Sequence, residues 1–114
     1  MHLITAAGLK AEIAKKGSAF IIVDLRDPYV YREKHIPEAV NVVKGDSFVK
    51  DLAAVVPDKD AVVVLYDEHE EYNADLAEMG AAAEAAGYTQ MHGLKDGFLH
   101  WLESGGTVWY GTES

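Results

Sequence analysis

The chain contains no cysteine. Disulfides, thiolate metal sites and cysteine nucleophiles are therefore excluded. A cysteine-free chain also suits a reducing compartment. Positive charge is scarce: ten Lys and Arg stand against nineteen Asp and Glu, for a net charge of −9. Such a surface repels phosphate backbones and anionic lipid. It argues against nucleic acid and membranes as partners and leaves a basic protein or small cations. Long apolar runs are missing too. The longest, Ala61 to Tyr66, falls far short of a membrane span. Lys10 and Glu12 interrupt the amino-terminal stretch too early for a signal-peptide core. A cytoplasmic location is the expectation.

What is present is the balance of a globular domain, 49% hydrophobic and 25% charged. Its 114 residues fit one domain, 1–114, with enough chain to bury a core. Two runs, Ala19 to Val23 and Val62 to Tyr66, are continuously apolar and rich in β-branched residues, as strands covered on both faces are. Each ends at an aspartate, Asp24 and Asp67. Val40 to Val43 reads as a third strand, Tyr88 to Met91 as a fourth, and His2 to Ile4 as a short leading strand.

Helical patterns alternate with these runs. Thr5 caps a helix to about Lys16, with Leu9 and Ile13 inward and Gly17 closing it. Asp46 or Ser47 caps a second, with Phe48, Leu52 and Val55 or Val56 inward, ended by Pro57. Asn73 caps the longest, whose stripe is Leu76, Met79, Ala83 and Ala86. Phe98, Trp101 and Leu102 form the inner face of a last helix. This alternation predicts a three-layer α/β/α domain around a mainly parallel sheet of about five strands. Ligands in such folds sit at the carboxyl ends of the strands, which points to Asp24 and Asp67.

The segment Asp24-Leu-Arg26 followed by Tyr31 and His35-Ile36-Pro37-Glu-Ala39-Val-Asn41 resembles the first signature of the rhodanese family. Three positions depart from it: Val30 replaces an acidic residue, and Lys34 and Glu38 replace glycines. Gly87-Tyr88, Leu94, Gly97, Trp101 and Gly105 resemble the closing pattern, with Asp96 where a glycine is usual. The resemblance implies that Asp24, Arg26, His35, Pro37, Asn41, Gly97 and Trp101 are structural, with Asp24, Arg26 and His35 in a turn that braces the sheet. It further implies an active-site loop after the Val62–Tyr66 strand, whose backbone N–H groups hold a cysteine thiolate or persulfide. The equivalent residues here are Asp67, Glu68, His69, Glu70, Glu71, Tyr72 and Asn73, with Asp67 at the cysteine position and Tyr72 at an arginine position.

A carboxylate cannot carry a persulfide, because sulfur transfer needs a polarisable nucleophile that can leave again. Asp67, Glu68, Glu70 and Glu71 would also repel thiosulfate or phosphate. The same loss removes the chemistry of the related cysteine phosphatases and arsenate reductases. The leading expectation is a catalytically inactive rhodanese-like module with a binding, regulatory or scaffolding role. It would need no cofactor, would work as a monomer or homodimer, and would meet a protein partner, basic if charge is the guide. One alternative is a metal site drawn from Asp67, His69 and Glu70, with Glu68 and Glu71 beside them. Another is an enzyme of a different class using Asp67. The receiver-domain version of that idea wants adjacent acids after the first strand and a later lysine, and Asp24, Asp27 and Lys95 do not supply them. The haloacid-dehalogenase version wants Asp-x-Asp, which Asp67-Glu68-His69 does not supply. His92 is placed just after the fourth strand, either near the loop or on the surface. Trp109 and Tyr110 pack on the domain or on a second copy.

Overall fold

The computed structural model describes residues 1–15, 19–68 and 74–111. The apolar runs form the strands: β1 (His2–Ile4), β2 (Phe20–Asp24), β3 (Val40–Asn41), β4 (Val62–Tyr66) and β5 (Gln90–Leu94). They make one five-stranded sheet in the order β1-β5-β4-β2-β3, parallel at every pairing. The helices are α1 (Ala6–Ala14), α2 (Pro28–Glu33), α3 (Phe48–Val55), α4 (Ala74–Ala85) and α5 (Gly97–Glu103). None among the described residues is long and apolar enough to cross a membrane.

Alternation along the strands divides the core in two. Ile22, Val64, Tyr66 and Leu94 face α1, α2 and α5, meeting Leu9, Tyr31, Phe98 and Trp101. Val23, Val63, Leu65 and Met91 face α3 and α4, meeting Phe48, Leu52, Leu76, Met79 and Ala83. Burying each large side chain contributes about 1.5–3 kcal/mol, so both helix layers are held by the sheet. This is the expected three-layer α/β/α arrangement.

Several boundaries differ from expectation. The third strand ends at Asn41, although Val42 and Lys44 still donate to the Asp24 and Leu25 carbonyls as the chain leaves the sheet edge. The last strand starts at Gln90, not Tyr88. Tyr88 belongs to the turn that closes α4: its N–H reaches the Ala83 carbonyl and its hydroxyl donates to the Val56 carbonyl. His92 therefore lies inside β5, with Val64 as its register partner, and not after the strand. Of the two inward candidates at the end of α3, the C-cap residue Val56 is buried and Val55 exposed. The α3 N-cap position is Ser47, whose hydroxyl donates to Asp51 rather than accepting a backbone N–H. Helix α2 was not expected from the sequence, although its signal was there. Asp27 accepts the Tyr29 N–H as N-cap and Pro28 takes the first helical position. The expected caps Gly17 and Asn73 lie outside the described residues.

Candidate functional site at the carboxyl ends of β2 and β4

Asp24 and Tyr66 are register partners at the ends of β2 and β4, and both face the α2–α5 side. Asp24 is fully buried. Its carboxylate accepts the backbone N–H of Arg26 at 2.8 Å and is forked by the guanidinium, with Nε at 3.1 Å from both oxygens and Nη2 at 2.8 Å from Oδ2. The Tyr66 hydroxyl donates to the same carboxylate and accepts the Ile36 N–H. Burial, then Asp24, raises the Tyr66 pKa far above the usual phenol range. Arg26 also donates to the Lys34 carbonyl and lies over the Phe98 ring, 4.1 Å from its centroid. Burial alone would lower the Arg26 pKa; the bonds and charge of Asp24 outweigh it and raise it.

The rest of the expected structural set surrounds this pair. Asn41 donates to the carbonyls of Asp24 and Arg26. His35 is buried, stacked on Tyr31 at 4.1 Å, with Nδ1 3.0 Å from the Tyr31 carbonyl. Its Nε2 has no hydrogen-bond partner among the described residues. Pro37 and Glu38 are the middle of a turn closed by the Ala39 N–H on the Ile36 carbonyl. Glu38 has φ 66° there, the left-handed value that a type II turn assigns to glycine. Asp96 has φ 70° at the entry to α5. The only two non-glycine residues with positive φ among those described are thus two of the positions where the rhodanese resemblance leads one to expect glycine. Lys34, the third, is extended at φ −167° and carries no such strain. Trp101 is buried with Nε1 donating to the Thr107 carbonyl. A Cβ on Gly106 would lie 2.3 Å from the indole, so glycine is required there.

Asp67 leaves β4 toward the opposite side, between the β3–α3 connection and α4. It is 3% exposed. Its Oδ2 accepts Lys44 Nζ at 2.7 Å, and its Oδ1 accepts the Glu68 N–H at 2.7 Å. Lys44 also donates to Asp75, in the first turn of α4, at 2.9 Å. Partial burial works against the Lys44 ammonium, but the two carboxylates outweigh it and raise its pKa. Glu68 turns the other way and meets Arg26 Nη1 at 3.3 Å. The backbone is held from beneath, where the first N–H groups of α5, Phe98 and Leu99, donate to the carbonyls of Asp67 and Glu68. A groove of about 200 Å³, lined by Lys44, Gly45, Asp46, Asp75, Glu78 and Met79, opens beside Lys44.

The structure therefore brings Asp67 and Glu68 to the expected end of the sheet, next to the Asp24–Arg26 pair. His69, Glu70, Glu71, Tyr72 and Asn73 lie outside the described residues. His92, His100, Trp109 and Tyr110 are not part of this cluster. Trp109 exchanges two backbone hydrogen bonds with His35, and Tyr110 is exposed. Sequence reasoning missed Lys44 and Asp75. A signal for Lys44 was present: a lone base directly after the third strand must come out at the same sheet end as Asp67.

Several solved structures share the fold. The BH2092 protein from Bacillus halodurans is 24% identical with a TM-score of 0.81, over 96% of this chain and 77% of that one. The rhodanese-like domain of the Alr3790 protein from Anabaena sp. is 24% identical with a TM-score of 0.79, over 100% and 83%. A thiosulfate sulfurtransferase from Pseudomonas aeruginosa is 20% identical with a TM-score of 0.79, over 97% of this chain but 20% of that one. No curated protein sequence matches. The sequence model of the rhodanese-like domain matches residues 5–104. With that match spanning most of the chain and the signature residues packed as one cluster, the protein belongs to the rhodanese-like domain family, as a member without a cysteine.

Proposed function

We propose that this domain is catalytically inactive as a sulfurtransferase and acts as a binding, regulatory or scaffolding module. The observation that carries the reading is the Lys44–Asp67 contact. At the end of β4, where the family places its sulfur-carrying cysteine, stands a carboxylate that is buried and already neutralised by a lysine at 2.7 Å. A carboxylate so held has no leaving sulfur to offer and no open face for an anionic donor such as thiosulfate. The ammonium already satisfies one oxygen of Asp67, which supports the paired state over a metal-bound one. The net charge of −9 is compatible with a basic protein as partner, and a cytoplasmic location agrees with the absence of cysteine.

The test is sulfur transfer from thiosulfate to cyanide. The native chain is expected to give no turnover above the uncatalysed rate; measurable turnover overturns the reading. Asp67→Cys supplies a thiol beside Lys44, so its pKa is expected to fall below the usual value of about 8.5. Alkylation by iodoacetamide against pH reads this directly. That variant is expected to remain much slower in sulfur transfer than an intact relative, because Tyr72 and the loop glutamates are still present.

A further inference from the structure

Two histidines at the β1–β5 seam stand apart from the site above. His2 and His92 are register partners on adjacent parallel strands, so both side chains leave the same face of the sheet. Their rings face one another with centroids 5.9 Å apart and planes inclined at 36°. Neither ring makes a hydrogen bond among the described residues, so no contact commits their nitrogens. The terminal ammonium is held by Glu84 at 2.7 Å.

We propose that His2 and His92 form a two-imidazole site for a late first-row divalent metal, Zn²⁺ or Cu²⁺. The spacing fits. A metal–imidazole bond is about 2.0–2.1 Å, and a ring's centroid lies about 1 Å behind its nitrogen, so two rings on one ion stand roughly 4.5–6.5 Å apart. Imidazole nitrogen suits zinc, copper and nickel, whereas calcium and magnesium want oxygen donors. His2 is exposed, which gives the ion a path from solvent and leaves positions for water. His92 also borders a mainly apolar cavity of about 240 Å³, with Glu12 on its wall. The acidic surface concentrates cations around the domain. This inference is independent of the role proposed for Asp67.

The experiment is a Zn²⁺ titration of the full chain by calorimetry, repeated with Mg²⁺, with histidine ring resonances followed by NMR. The expected result is one saturable equivalent of Zn²⁺, perturbed rings at both His2 and His92, and no response to Mg²⁺. His2→Ala and His92→Ala should each weaken binding at least tenfold. His92→Gln preserves volume at the half-buried position, so it serves if the alanine variant loses its fold. Absence of saturable binding overturns the proposal. So does binding that survives His92→Gln but not His2→Ala, which would mark a chelate at the amino terminus, and so do shifts centred on Asp67.

Discussion

Two aspartates end two adjacent strands of one sheet and are put to different uses. Asp24 is enclosed by a forked guanidinium, a phenol and a backbone N–H, and every partner is itself buried. Asp67 is as deeply placed, yet its cation is a lysine whose side chain is 33% exposed and shared with Asp75 on the surface. Arg26 stays charged and planar, so its fork fixes the Asp24 turn in one geometry. Lys44 is a single point charge on a flexible stem. The contrast teaches where this fold keeps its structural charge and where it holds its site. The first is walled in on the α2–α5 side; the second reaches the groove between the β3–α3 connection and α4 through Lys44 and Asp75.

The largest expected effect is at the walled-in aspartate. Asp24→Ala strips Arg26 of its buried partner and leaves only the more exposed Glu68 in reach, and should cost roughly 3–5 kcal/mol, measured by urea denaturation. A loss as small as that of a surface pair would erase the distinction drawn here. Next is Tyr66→Phe, which leaves the Ile36 N–H and an Asp24 oxygen short of one bond each and should cost about 1–3 kcal/mol.

Lys44→Met should cost about 1 kcal/mol, since Asp67 keeps its bond from Glu68 and the lysine is partly in solvent. Its pH dependence has a definite sign. The folded pKa of Lys44 is raised above the ordinary 10.5, so the native chain holds this contribution below pH 10.5 and loses it as pH climbs through the folded value. Stability curves of the native and Lys44→Met chains should therefore run parallel through neutral pH and converge in strong alkali.

The smallest effects sharpen the comparison through backbone geometry. Glu38→Gly relaxes the turn on the Asp24 side, and Asp96→Gly relaxes the entry to α5, whose N–H groups hold Asp67. Each should raise stability by roughly 1 kcal/mol. Lys34→Gly should not stabilise, because Lys34 is extended. Thermal melts of the three variants separate left-handed positions from mere departures from a family pattern.

The Asp24 cluster was largely legible in the sequence, because Asp24, Arg26, His35, Pro37 and Asn41 lie within one short segment whose spacing is itself a pattern. The Asp67 site was legible only at its strand end. Lys44 and Asp75 come from separate elements, and ion pairing between distant segments leaves no periodic trace. His92 was misplaced because Tyr88, an apolar aromatic next to a glycine, reads as the start of a strand when it is in fact the cap of α4.

Apart from α2, hydrophobic periodicity settled the alternation of elements and hence the layers, since an apolar run must be covered and a one-sided helix must cover it. The absence of cysteine settled what chemistry is closed to the chain. Only the tertiary structure decided which cation meets which carboxylate, sending Arg26 to Asp24 and Lys44 to Asp67. It also decided that Glu38 and Asp96 keep a glycine's backbone without being glycine, and that two histidines ninety residues apart share one face. Those choices depend on strand order and on a twofold alternation of side chains across the sheet, which bring together residues that no local pattern connects.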